Sequence, residues 1–433
     1  MINRLVLTLL LAALGLSAQT PPLEQRVAEL EDKVRQLQAA LDAVLGNRTP
    51  PAIPVLGAVR PAAPPAPATP LTPVSVSGDY RNLPSTETRL PVAGYMDFHV
   101  NKDLGDPFRP DFHRFVLLFG HSFSDRIKFW SELEVEHALV EGGPLETGEV
   151  ALEQAYLDFL IKPYFNLRAG MVLSPVGIVN ERHEPPAFNG VERPFVETTI
   201  IPTTWHDLGV GINGDLGRGF RYRAYLTSSL DASRFDAEGG ITEGRTGGFD
   251  ASLRNPAKVG RLEYAGVRRL TLGTSFYSGH AGFNTPGVNP RVSIYEFDGR
   301  YSLGRADFRG LFANTWVSRA GDLNRLLRIQ TGVNPNVASQ MRGYYMEPAF
   351  HVLPRRSRSD LILFTRFERY NTQQQMPAGY VPLADFNRSS WITGVTFKPN
   401  ADVAVKFDYV VNQNESRLIR AINGINLGIG WWF

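Results

Sequence analysis

The chain has 433 residues, a mean hydropathy of −0.17 and a formal charge of +2, with Gly 40, Phe 26 and Tyr 15 among them. Near-neutral charge gives no bulk attraction to nucleic acid. The absence of cysteine excludes disulfides, thiolate metal sites and thiol catalysis. Beyond the first residues no apolar run approaches the roughly 18 that a spanning helix needs, and the glycine and aromatic content favours one large β structure over a helical bundle.

Residues 1–18 read as a secretory signal. Arg4 precedes the apolar run Leu5–Leu16, and the small residues Ser17 and Ala18 precede a cleavage point before Gln19. Residues 19–48 carry a heptad. Val27, Val34 and Leu41 take its a positions; Leu23, Leu30, Leu37 and Val44 take d. Glu24 and Glu31 at e, with Arg26 and Lys33 at g, are placed for interhelical ion pairs, so a periplasmic coiled coil is expected. Residues 49–90 form a linker, with nine prolines between Pro50 and Pro73. In polyproline II, at about 3.1 Å per residue, that stretch reaches roughly 75 Å.

From residue 91 to 433 the pattern changes to period two. Sixteen strands are predicted: 92–100, 112–123, 126–138, 150–161, 165–173, 206–215, 220–230, 257–266, 270–279, 292–303, 306–317, 341–353, 361–370, 389–398, 403–412 and 423–433. Ser124-Asp125, Gly217-Arg218-Gly219 and Gly304-Arg305 are tight turns. Residues 101–111, 174–204, 231–256, 319–340 and 371–388 are long connections. Short turns on one side and long loops on the other describe an all-β membrane protein, a 16-stranded antiparallel up-and-down transmembrane barrel. It belongs in an outer membrane of Gram-negative type, among outer-membrane lipid. Phe433 ends the last strand as a candidate assembly signal.

Charges at inner-face positions suit a water-filled lumen, because a packed core would leave them without partners. Lys128, Glu132, Glu134, Arg168, Arg221, Arg223, Arg366, Glu368, Lys406 and Asp408 are candidate pore-lining residues, and opposite signs are expected to pair across the lumen. The loop 174–204, third on the long-loop side when the connection between strands 126–138 and 150–161 is counted, holds both charge and bulk. Its apolar Val176, Ile178, Phe188, Phe195 and Ile200 need cover, so inward folding is expected. Arg182, His183, Glu184 and Arg193 then form the candidate constriction. The eight histidines show no His-x-x-x-His spacing, and no Gly-x-Ser-x-Gly or phosphate-loop motif occurs. No cofactor, metal or catalytic residue is expected.

The stretches Arg114–Phe129, Glu149–Asp158 and Leu167–Gly177 resemble consecutive hairpins of the phosphate-selective porin (O and P) family. The resemblance implies a sixteen-stranded, trimeric outer-membrane channel. The arginine ladder and lysine-rich zone of that family do not map onto this chain, whose lumenal arginines lie beside acids. The leading expectation is passive diffusion of small hydrophilic solutes or ions. A tether binding the cell wall through the coiled coil, or an outer-membrane hydrolase, are the alternatives.

Overall fold

The computed structural model describes residues 92–137, 148–248, 255–354 and 357–433. The signal, heptad and proline-rich stretches lie outside these residues. Sixteen antiparallel strands close into one barrel. They are β1 (Val92–Asp103), β2 (Arg109–Ser122), β3 (Ile127–Glu136), β4 (Val150–Lys162), β5 (Phe165–Leu173), β6 (His206–Gly217), β7 (Phe220–Thr227) and β8 (Ala257–Tyr264). The second half is β9 (Leu270–His280), β10 (Arg291–Leu303), β11 (Ala306–Val317), β12 (Gln340–His351), β13 (Asp360–Gln375), β14 (Asn387–Lys398), β15 (Val403–Asn414) and β16 (Gly424–Trp432). Every predicted strand appears. Among the described residues one α-helix, α1 (Ala320–Thr331), rises between β11 and β12. Among the described residues no helix is long and apolar enough to cross a membrane.

Alternation explains the wall. On β15, Val405, Phe407 and Tyr409 point outward and are 43%, 44% and 37% exposed, whereas Lys406 and Asp408 point inward and are buried. Lipid contact suits the first set and the interior takes the second. The barrel closes between β1 and β16, with Met96 opposite Trp431 and Phe98 opposite Ile429. Beyond that ladder, Gly94 N–H donates to Phe433 O at 3.0 Å and Phe433 N–H to Gly94 O at 2.9 Å. Gly94 must lack a side chain here, because a Cβ would sit 2.5 Å from the Phe433 ring.

Two expected loops are shorter than their sequence suggests. Residues 101–111 were expected to be a long connection, yet Asn101 pairs with Arg109 and Val100 with Pro110, leaving only 104–108 between strands. Similarly β13 runs on to Gln375. Polar residues carry no penalty in a ladder that continues into water, so composition there does not mark where pairing ends.

Candidate functional site

Several inward charges are paired along the wall. Arg168 donates to Asp158 at 2.7 and 2.9 Å, directly opposite it in the β4–β5 register. Arg366 donates to Glu368 at 2.7 Å and to Glu347 at 3.2 Å. Arg261 on β8 reaches across β9 to Asp298 on β10 at 2.6 Å. Gly273 permits that reach, since a Cβ there would lie 2.3 Å from the guanidinium. These pairs run along the sheet, between adjacent strands, across one intervening strand or within a strand, and not across the lumen.

Residues 174–205 join β5 to β6, and their neck is closed by hydrogen bonds. Ser174 N–H donates to Trp205 O at 2.8 Å. The Asn180 amide donates to Ser174 O and Trp205 O and accepts from Trp205 N–H. From that neck the segment meets inward-facing side chains round the wall. Asn101 on β1 donates to Glu192 at 2.9 Å, and Arg223 on β7 pairs with Glu181 at 2.9 Å. Thr315 on β11 donates to Ile200 O at 3.2 Å, and Tyr345 on β12 to Glu197 at 2.7 Å. Glu368 on β13 accepts from Val196 N–H at 3.0 Å, and Asp408 on β15 from Val191 N–H at 2.7 Å.

A buried loop must find partners for its backbone groups, and the wall carboxylates supply several of them. Glu197 does the same within the segment, accepting Ile178 N–H and Val179 N–H at 2.7 Å each. Val176, Ile178, Phe188 and Ile200 are buried and Phe195 is partly buried. The neighbouring segment between β7 and β8 packs on it. Thr242 donates to Thr198 O at 3.3 Å, and Leu230, Phe235 and Ile241 join the same apolar cluster.

Arg182 and Glu184 border a recess shared with Arg168, Arg221, Arg223 and Glu132. His183 turns the other way. Its ring lies 2.9 Å from Tyr95 Oη, 3.0 Å from Glu153 and 3.0 Å from Asn180 O. Burial holds the His183 imidazole down at about 4 and pushes the Glu184 carboxyl up to about 8. Arg193 does not border the recess; it donates to the hydroxyls of Thr203 and Thr204 at 2.6 and 2.5 Å. Of the wall residues, Glu132, Glu134, Arg366, Glu368, Lys406 and Asp408 are buried against neighbours. Lys406 places its ammonium 3.9 Å above the Phe188 ring. Lys128 donates to Ser122 at 3.0 Å.

Sequence spacing missed the gathering of His99, Asp111, His113 and His137. The available signal was strand register, since His99 faces Asp111 across the β1–β2 ladder.

The closed sixteen-stranded barrel is the fold of outer-membrane porins. OmpF of Salmonella typhi, solved in complex with daunomycin, superposes with a TM-score of 0.55 at 12% identity, covering 79% of this chain and 97% of that one. The anion-selective porin from Comamonas acidovorans gives 0.51 at 12% identity, over 80% and 100%. The trimer form of OmpT from Vibrio cholerae gives 0.50 at 10%, over 80% and 99%. No protein-family model matches the chain. By sequence it belongs to one family with an uncharacterized protein of Aquifex aeolicus (strain VF5), 38% identical over 335 residues, which span 74% of this chain and 75% of the relative.

Proposed function

We propose that the protein is an outer-membrane porin through which small hydrophilic solutes or ions diffuse passively, in a lumen narrowed by residues 174–205. The observation that carries this reading is the ring of hydrogen bonds from that segment to inward-facing side chains on β1, β7, β11, β12, β13 and β15. A loop so held reduces a sixteen-stranded opening to polar passages beside it. The recess bordered by Arg182, Glu184, Arg221 and Arg223 is one such passage. Its wall carries both signs of charge, so position along the path, more than net charge, sets selectivity. Arg182 and Glu184 line the constriction, His183 anchors it to the wall and Arg193 braces its neck.

The porin fold supports placement in an outer membrane of Gram-negative type, with the heptad segment in the periplasm. A trimer is the proposed assembly, by analogy with the trimer form of Vibrio cholerae OmpT. Three heptad segments would then be tethered at about millimolar effective concentration, enough to associate a short helix. Phosphate selectivity is not part of the proposal, because Arg168 and Arg366 are each committed to a carboxylate.

Planar-bilayer recording of the purified full chain tests the reading. Discrete ohmic steps are expected, and Arg182→Glu should move the reversal potential in a salt gradient toward cation preference. A folded barrel that inserts without conducting would refute the channel. An unchanged reversal potential would remove Arg182 from the passage.

A further inference from the structure

Three imidazoles converge on one carboxylate where β1, β2 and β3 meet the loops. His99 Nε2 lies 3.2 Å from Asp111 Oδ2, and His113 Nδ1 lies 3.1 Å from the same oxygen. His137 Nδ1 lies 3.0 Å from Oδ1 and 3.1 Å from Oδ2. The backbone builds this arrangement. Asp111 and His113 are two residues apart on one strand face, His99 is opposite Asp111, and His137 N–H donates to His113 O at 2.9 Å. A left-handed φ of 55° at His137 turns the chain just after β3.

Both ring nitrogens of His99 face a carboxylate. Its Nε2 faces Asp111, and its Nδ1 faces Glu192 Oε1 at 3.2 Å. Glu192 also accepts from Asn101 at 2.9 Å, which fixes its carboxylate beside the ring. With Nδ1 turned to Glu192, Nε2 is the ring nitrogen on the Asp111 side. Donor atoms of His99, Asp111 and His113 all lie within 4.8 Å of one another. Ligands about 2.0–2.2 Å from one metal ion stand about 3.0–3.5 Å apart, and each of the two histidines stands 3.1–3.2 Å from Asp111 Oδ2.

We propose that His99, Asp111 and His113 form a binding site for a first-row divalent transition cation, Zn²⁺ being the reference ion. Two imidazoles and a carboxylate suit Zn²⁺, Co²⁺, Ni²⁺ or Cu²⁺ better than Ca²⁺ or Mg²⁺, which favour all-oxygen shells. Glu192 orients His99 from behind, as carboxylates commonly do for metal-bound histidine. His137 stands beside Asp111 to complete the shell or hold that carboxylate. The side chains of Asp111, His113 and His137 are 27%, 22% and 33% exposed, so a hydrated ion can reach them. The second histidine–carboxylate group, Glu132, Glu153 and His183, is fully buried, and its donors already meet Tyr95 and Gln154. Because Glu192 belongs to the segment between β5 and β6, and its carbonyl accepts from Arg366 at 3.3 Å, a bound ion ties that segment to the wall.

The test uses tag-free, full-length protein stripped with a chelator, titrated with Zn²⁺ by calorimetry and with Co²⁺ by visible absorption. One ion per chain is expected at neutral pH, with affinity falling as acid protonates the imidazoles. His113→Gln and Asp111→Asn should weaken binding by at least tenfold, and Glu192→Gln by about tenfold. His183→Gln and the distant His280→Gln should bind as the unaltered chain does. A heat-modifiable band on gels confirms each barrel. No stoichiometric binding by folded protein would overturn the proposal. So would wild-type affinity in both His113→Gln and Asp111→Asn, or loss of binding in His183→Gln alone.

Discussion

Replacing Glu197 with Ala removes a carboxylate that accepts three hydrogen bonds, from Ile178 N–H, Val179 N–H and Tyr345 Oη, each at 2.7 Å. These bonds join the start of the inner segment to its end and to β12. Each orphaned buried donor costs about 1–3 kcal/mol. Burial already pushes the Glu197 carboxyl above its usual range, so losing the charge returns part of that cost. The low end, about 3 kcal/mol for three donors, is therefore the better figure, and it corresponds to roughly 150-fold in the ratio of docked to released segment. Glu197→Gln keeps an acceptor for both amides and an amide for the tyrosine oxygen, so it should change little. Tyr345→Phe loses one bond and should shift the ratio about fivefold. Trypsin reads the released fraction by cutting after Arg182, provided closing is fast relative to cleavage. The expected order of cutting rates is Ala fastest, Phe next, and Gln close to wild type. Wild-type cutting in Glu197→Ala, with the barrel intact, would show that the carboxylate does not hold the segment.

Three further outcomes follow from the same geometry. The His183 pKa is depressed to about 4, so its contribution to docking is present above its unfolded value near 6.5 and fades as pH falls toward 4. The Glu184 pKa is raised to about 8, so its contribution is full below about 4.5 and is lost as pH rises toward 8. Trypsin cutting at set pH should lose its acid limb in His183→Gln and its alkaline limb in Glu184→Gln; unchanged profiles would place neither group in the docked contact. Arg366→Met strands Glu347 and Glu368 without their cation and should destabilise the interior by about 3–5 kcal/mol. Adding Glu347→Gln and Glu368→Gln should recover most of that loss in urea titrations, and no recovery would mean that packing, not charge, is what Arg366 provides. Deleting Phe433 removes the Gly94 backbone pair and the ring stacked 6.1 Å from Phe115, at the seam where the barrel closes. Membrane assembly in cells should fall more than the unfolding midpoint of barrels already formed, and normal assembly would count against it.

The strands were legible because alternation has a fixed period and tight turns carry recognisable residues. Val405, Phe407 and Tyr409 against Lys406 and Asp408 show this directly. What those inward charges do was not legible. Sequence marks Glu368 and Asp408 as inner-face acids, but not that Val196 and Val191 present backbone N–H groups to them. A water-filled lumen and a lumen filled by a loop demand the same residue types at those positions. His183 and Arg182 are adjacent in sequence yet face a buried pocket and an open recess, a difference set by the turn after Asn180. The His99–Asp111–His113 group escaped notice because a period-two ladder brings together residues 12 and 14 apart, which no local motif encodes.

The central claim, that residues 174–205 narrow a conducting barrel, is tested most directly by excising 174–204, closing the gap with a short glycine turn and recording single channels beside the full chain. A correctly closed barrel should show a severalfold larger ohmic conductance with weaker charge selectivity. The same conductance before and after excision would contradict it.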